Sequence, residues 1–178
     1  MVGNAIEDFT SAGNYPKRMA VALTTAVNFS EMKSSRNPVE TLVAFSIGSG
    51  IGMTIYDPVS VVGGVLNFIL PESVNLNPAK RQKYPFMFAD TAIPAFLNAL
   101  MKLGAEPARM KVVIAGGAQV LDQTGEFNIG CRNYQAAKSI IAANQLCIHY
   151  EDIGGIQPRT LRLDMGTGNS FINFTVMY

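Results

Sequence analysis

Three apolar runs separated by turn residues constrain the fold more than any other part of the sequence. They are Thr41–Ile47, Ile51–Tyr56 and Val61–Leu70, with Gly48-Ser49-Gly50 after the first and Asp57-Pro58 after the second. Short runs that are rich in Val and Ile and bounded by Gly or Pro are typical of buried β-strands. This block is therefore predicted to form consecutive strands of a buried sheet.

The rest of the chain mixes helix and strand patterns. Asp90–Leu103 carries an apolar stripe at helical spacing with Asp90 as the expected N-cap, and Asn133 is expected to cap a second helix, Asn133–Ala143. Met19–Phe29 is apolar and suits a strand or a short helix, of which the strand is favoured. Further strands are predicted at Lys111–Ala115, Leu146–Tyr150, Thr160–Asp164 and Ser170–Met177, and polar loops at Glu31–Pro38 and Ser73–Pro85. About eight strands and two helices, not in strict alternation, indicate an α+β fold rather than a doubly wound sheet.

Length and charge limit the number of domains and the kinds of partner. A chain of 178 residues suits one domain, which can bury a core without a disulfide or a metal. Fourteen Lys and Arg against thirteen Asp and Glu leave a net charge of +1, a field too weak to hold nucleic acid. No uncharged stretch suits a membrane-spanning helix, and no secretory signal pattern is present. We expect a cytoplasmic protein without membrane insertion.

The general motifs of metal, thiol and nucleotide chemistry are weak in this sequence. Cys131, Cys147 and the single His149 are too few for a structural zinc site, so no metal or cofactor is expected. The glycines at Gly48-Ser49-Gly50 and Gly116-Gly117 fit no dinucleotide or phosphate-binding pattern, and tight turns are the simpler interpretation. A Cys131–His149 dyad stays conceivable because such partners need only be close in space.

Six short segments in register carry a more specific signal. They are Ile47-Gly48-Ser49-Gly50, then Tyr56-Asp57-Pro58 with Gly63-Gly64 and Ile69-Leu70-Pro71-Glu72-Ser73, then Ala89-Asp90-Thr91-Ala92-Ile93-Pro94, Gly116-Gly117-Ala118, Asn128-Ile129-Gly130-Cys131-Arg132-Asn133, and Glu151-Asp152-Ile153-Gly154-Gly155 followed by Arg159. Together they resemble the CheD family of bacterial chemotaxis proteins, the receptor glutamine deamidases. The resemblance is clearest over about residues 41–164. It predicts a single CheD-like domain over 1–178, in which 1–40 form an N-terminal extension or strand.

The resemblance implies a fold, a reaction and partners. The fold would be a β-sandwich of mixed sheets flanked by helices, similar to the catalytic domain of the cytotoxic necrotizing factor toxins. The reaction would convert receptor glutamines to glutamates by attack of a Cys thiolate, with a His as proton acceptor and a Thr completing the triad. The partners would be a chemoreceptor cytoplasmic domain or a CheC-type phosphatase, which occupies the deamidase site.

None of the three positions that match the family's catalytic residues keeps its chemical group. The Cys position falls on Gly50, the His position on Asn67 and the Thr position on Ala44. Glycine offers no nucleophile, and an asparagine amide is no base near neutral pH. The sequence therefore implies an inactive homologue that binds a chemoreceptor or a phosphatase, and its candidate cleft residues are Gly48, Ser49, Gly50, Asn67, Gly116 and Gly117.

Other interpretations stay open at this level. The chain could be an active protein-glutamine deamidase that uses a displaced nucleophile such as Cys131 or Ser49. It could also be a small-ligand or nucleotide sensor built on the glycine turns, or its ancestral cleft could have filled in.

Overall fold

The computed structural model describes residues 23–74, 77–120 and 126–175. Within these ranges, nine strands form two mixed sheets accompanied by helices, which confirms the predicted α+β class. The strands are β1 (Leu23–Ala26), β2 (Glu31–Ser35), β3 (Glu40–Ile47), β4 (Ile51–Asp57), β5 (Val62–Phe68), β6 (Lys111–Gly116), β7 (Ile148–Ile153), β8 (Arg159–Asp164) and β9 (Ser170–Phe174). The helices are α1 (Pro78–Lys83), α2 (Ala89–Lys102) and α3 (Ile129–Ala143), and a 3-10 turn spans Pro107–Arg109.

The two sheets pack face to face, and α2 and α3 cover the outer side of one of them. The first sheet has the order β1-β3-β8-β9 and the second the order β2-β5-β4-β6-β7. One apolar cluster, including Ile47, Val65 and Leu161, lies between the sheets. A second cluster, including Phe68 and Phe96, lies between the second sheet and the helices. The domain thus has three layers, in the order sheet, sheet, helix.

The central strands of the second sheet are the most buried elements. All seven residues of β4 and all seven of β5 are buried. Because both faces of these strands are covered, their sequence is a continuous apolar run instead of an alternating one. Gly64 lets α2 approach β5, since a Cβ at this position would lie 2.7 Å from the Phe96 ring. The glycine inside this strand therefore marks a close helix contact.

Two predicted loops contain secondary structure. Glu31–Pro38 includes β2, whose five half-buried residues pair antiparallel with β5. Ser73–Pro85 includes α1. Both predictions were wrong because these segments are polar, and an apolar period is the signal that identifies an element from sequence. Elements that are only partly buried, such as β2, need few apolar residues, so their sequences show only a weak apolar period.

Neither predicted N-cap residue caps its helix. The N-cap of α2 is Phe88, and the carboxylate of Asp90 instead accepts hydrogen bonds from the backbone N–H and the hydroxyl of Ser73, both at 2.9 Å. The helix α3 begins four residues earlier than predicted, so Asn133 lies inside it and is fully buried. Both side chains make tertiary contacts in place of local ones.

The predicted ends of the chain are described only in part. Residues 23–40 of the expected N-terminal segment contain β1, β2 and the first residue of β3, while 1–22 lie outside the described residues. The last predicted strand ends at Phe174, and 176–178 also lie outside them. Among the helices that the structure describes, none is long and apolar enough to cross a membrane.

Asp57 anchors the turn between β4 and β5 through a buried carboxylate. Its two oxygens accept hydrogen bonds from the guanidinium of Arg109 at 3.0 and 2.7 Å, and one also accepts from the backbone N–H of Glu106 at 2.9 Å. The hydrogen bonds from Arg109 hold the pKa of Asp57 well below its usual range. The Asp57-Pro58 turn therefore ties the central hairpin to the segment that follows α2.

We expect Asp57→Asn to lower the free energy of unfolding by roughly 2–3 kcal/mol near neutral pH, because the buried charge partner is lost. A lowered folded-state pKa means that the wild-type carboxylate stabilises the protein above the ordinary carboxyl pKa and loses this contribution below about pH 4. Urea denaturation of both proteins at a series of pH values measures the difference. That difference should shrink on acidification, and a constant difference would contradict the prediction.

Glu106→Gln is the matched control. Glu106 forms an exposed ion pair with the same Arg109, its side chain being 66% exposed. Its loss should change the free energy of unfolding by less than about 1 kcal/mol at any pH in the series.

Candidate functional site

A cleft of about 590 Å³ lies at one end of the sandwich, where the space between the two sheets opens. Its walls come from the ends of β3 and β5, the turn between β3 and β4, the segment after β6 and the first turn of α3, with one residue each from the segments before β2 and β8. The described residues that line it are Phe29, Ser46, Ile47, Gly48, Ser49, Gly50, Asn67, Ile69, Ala118, Gln119, Val120, Phe127, Ile129, Gly130 and Pro158.

Four of the six cleft candidates from the sequence line this cleft: Gly48, Ser49, Gly50 and Asn67. The other two do not line it. Gly116 and Gly117 lie behind the turn, where the backbone N–H of Gly117 donates to the carbonyl of Gly50 at 2.8 Å. Ala44, which the resemblance matches to the family's Thr, is fully buried in β3 and is also absent from the lining.

Gly50 sits where the backbone leaves no space for a side chain. A Cβ at this position would lie 2.6 Å from the carbonyl oxygen of Phe68 and 3.4 Å from the Cα of Ile69. Both are backbone atoms, which cannot rotate away as a side chain can. Any residue larger than glycine at position 50 therefore requires the turn and the end of β5 to move apart.

Asn133 holds this turn in place from inside α3. Its Nδ2 donates to the carbonyl of Ser49 at 2.8 Å and to the carbonyl of Ile69 at 2.9 Å. One turn earlier in the helix, Gly130 contacts Gly117 so closely that a Cβ would overlap the Gly117 carbonyl. The segments around Gly117 and Asn133 thus fix α3 against the cleft. Sequence analysis missed this role because an asparagine near a helix start also suits a cap.

Asn67 places an unpaired amide at the cleft. Its side chain lies on β5 beside the space between the sheets and is 1% exposed. In the part of the chain that the structure describes, neither its Nδ2 nor its Oδ1 has a hydrogen-bond partner. Buried polar groups are nearly always paired, and an unpaired one costs about 1–3 kcal/mol. This amide therefore keeps an unused donor and an unused acceptor at the wall of the cleft.

The cleft is neutral and its walls are mainly apolar. None of its described lining residues carries a charge. Arg159 follows the lining residue Pro158, but its guanidinium donates to the Asp152 carboxylate at 2.9 Å and to backbone carbonyls. Phe29 and Phe127 line the cleft and are 62% and 68% exposed, which places apolar surface at its mouth. Sequence analysis did not select these aromatic residues as site residues, because Phe29 ends the predicted strand Met19–Phe29 and Phe127 lies just before the Asn128–Asn133 motif.

The described lining residues include no nucleophile paired with a base. Ser46 and Ser49 supply the hydroxyl groups of the cleft, and Cys131 does not line it. His149 lies on β7, where the backbone N–H of Val112 donates to its Nδ1 at 3.2 Å. No group of three or more His, Cys, Asp or Glu residues that could hold a metal occurs among residues 23–74, 77–120 and 126–175.

The structure does not bring Cys131 and His149 together. Cys131 is in the first turn of α3, while His149 lines a cavity with Ile141 and Ala142 at the other end of that helix. The 15 residues of α3 span about 22 Å. A thiol–imidazole dyad from these two residues is therefore excluded in this fold.

The comparisons of sequence agree on one family. The model of the family described as CheD chemotactic sensory transduction matches residues 69–174. The probable chemoreceptor glutamine deamidase CheD 1 of Syntrophus aciditrophicus is 41% identical over 146 residues, which cover 82% of this chain and 91% of that protein. The probable chemoreceptor glutamine deamidase CheD of Solibacter usitatus is 36% identical over 146 residues, which cover 82% and 86%. The crystal structure of the Bacillus licheniformis hypothetical protein YfiH gives a TM-score of 0.41 at 11% identity, over 68% of this chain and 49% of that chain.

Alanine substitutions at two neighbouring glycines test the packing of the turn. We expect Gly50→Ala to lower the free energy of unfolding by about 1–3 kcal/mol, because its methyl group meets backbone atoms. Gly48→Ala is the matched control, since a Cβ there meets only the Cγ2 of Val120, at 3.3 Å, which can shift. Chemical denaturation compares the two variants. Equal losses of stability would show that the close approach at Gly50 is not the cause.

Proposed function

The chain belongs to the CheD family, and we propose that it is a member that binds a glutamine-bearing partner protein without deamidating it. The occupant that the cleft suits best is a glutamine side chain of a chemoreceptor cytoplasmic domain. The observation that supports this proposal is the presence of Gly50 and Asn67 in one open cleft, at the positions where the family's nucleophile and base are expected.

The loss of catalysis follows from the chemistry of these positions. Deamidation through a thioester needs a nucleophile at the amide carbon and a base that accepts its proton. Position 50 offers only backbone, and the amide of Asn67 does not take up a proton near neutral pH. The hydroxyl of Ser49 lies at the cleft, but the chain's single histidine, His149, lines other cavities. What remains at the cleft is the capacity to bind.

The capacity to bind is supported by the shape of the cleft. Asn133 joins the turn at Ser49 to the segment at Ile69, and the close contact between Gly117 and Gly130 fixes α3 behind them. The neutral walls suit an uncharged side chain, and the unpaired amide of Asn67 suits one that ends in a carboxamide. Apolar residues that flank such a glutamine could pack on Phe29 at the mouth. A protein with these properties would shield receptor glutamines or act as an adaptor.

Incubation with a purified chemoreceptor cytoplasmic domain is expected to release no ammonia and to leave every receptor glutamine unconverted. The missing nucleophile is the physical reason. Mass spectrometry of receptor peptides and an ammonia assay provide the measurement, and the Syntrophus aciditrophicus relative serves as the comparison enzyme. Turnover by the wild-type chain would overturn the proposal in favour of an active deamidase. Ser49→Ala and Cys131→Ala would then identify the displaced nucleophile.

Filling the cleft is expected to abolish binding. Asn67→Trp places an indole in the space that the glutamine would occupy, so capture of the receptor domain in a pull-down should fall by at least tenfold. Asn173→Trp is the matched control, because Asn173 is exposed on β9 and does not line the cleft. Unchanged capture by Asn67→Trp would count against binding through the cleft. Capture of a CheC-type phosphatase alone would identify that protein as the partner in place of the receptor.

A further inference from the structure

We infer that the cleft discriminates between glutamine and glutamate, so that the protein binds a partner segment before deamidation and releases it afterwards. This inference rests on the proposed function and adds a selectivity to the same site. Asn67 is the residue that determines it.

The first reason is hydrogen-bond complementarity. The Nδ2 and Oδ1 of Asn67 are both buried and lack partners among the described residues. A primary carboxamide offers one acceptor oxygen and two donor hydrogens, so it can satisfy both atoms at once. A carboxylate only accepts, and it would pair with Nδ2 while setting a negative oxygen against Oδ1. The carboxylate therefore leaves one buried acceptor unpaired and adds a repulsion.

The second reason is charge. No cationic side chain is among the described lining residues, so a carboxylate entering the cleft would lose its hydration without gaining a counter-ion. The two arginines nearest the cleft in sequence are not among its lining residues, and each has an acidic neighbour: Asp152 lies 2.9 Å from Arg159, and Glu72 lies 3.5 Å from Arg132. The amino end of α3 at Ile129 favours an anion, but a helix terminus offsets only a small part of the cost of burying an unpaired charge.

The selectivity makes the binding sensitive to the action of an active deamidase. Hydrolysis of the glutamine amide breaks its C–N bond, takes the new oxygen from water and releases ammonia, leaving the carboxylate that the cleft rejects. This chain would accordingly occupy only those receptor positions that a deamidase has not yet converted. The fraction of receptor positions that this chain occupies would then report the fraction of glutamines that a deamidase has not yet converted.

The test uses the full chain and one purified chemoreceptor cytoplasmic domain prepared in three forms. The candidate positions carry Gln in the first form, Glu in the second and Met in the third, an uncharged residue of similar length without an amide. Isothermal titration calorimetry is expected to show the Gln form binding at least tenfold tighter than the Glu form, and tighter than the Met form.

Asn67→Leu tests the role of the amide. It removes both polar atoms at similar volume, so the Gln and Met forms should bind this variant equally. Because the lost amide had no partner among the described residues, the melting temperature should not fall, which shows that the variant is folded. Asn173→Leu, exposed on β9, should keep the wild-type preference.

The outcomes separate the inference from the proposal beneath it. Equal binding of the Gln and Glu forms would overturn the selectivity and leave the proposed function standing. A preference for Gln over Met that persists in Asn67→Leu would also overturn the inference, since another group would then determine it. If none of the three forms bound the wild-type chain, both the proposed function and the inference would fall.

Discussion

The hydrogen bonds of Asn133 are the interaction on which the shape of the cleft depends. A single buried amide joins the carbonyl of Ser49, in the turn between β3 and β4, to the carbonyl of Ile69, just after β5. Without that donor, two carbonyls from different segments would face a low-dielectric interior with one partner fewer. Asn133 is absent from the lining, so these two hydrogen bonds are made behind the cleft and not by a side chain that would meet a ligand.

Asn67 is the residue on which the proposed binding role of the cleft rests. A buried amide without a partner reduces stability, and leucine or methionine at the same position would fill the space without that cost. Polar groups that violate local packing rules concentrate at functional sites, where the missing partner is supplied by a ligand. The apolar walls around this amide increase both its cost in the free protein and its value in a complex.

The sequence predicted those parts of the molecule whose signals are local. The buried strands β4 and β5, the helix α2 and the hairpin of β8 and β9 follow from apolar runs and turn residues. Gly50 and Asn67, which the resemblance selected as cleft candidates, line the same cleft. It did not predict β2, whose polar residues are ordered by pairing with β5. Nor did it predict the role of Asn133, which depends on contacts with residues more than sixty positions away. Tertiary contacts of this kind produce no periodic pattern of apolar residues in the sequence, so pattern analysis does not detect them.

The crowding around Gly50 also bears on how such a protein could change over evolutionary time. The backbone of Phe68 occupies the volume that any β-carbon at position 50 would need. A substitution to cysteine at this position would therefore meet a steric penalty, and position 67 would still carry an amide in place of a base. Under the proposed function, a path towards deamidation would need several changes together, including one that moves the end of β5 away from the turn.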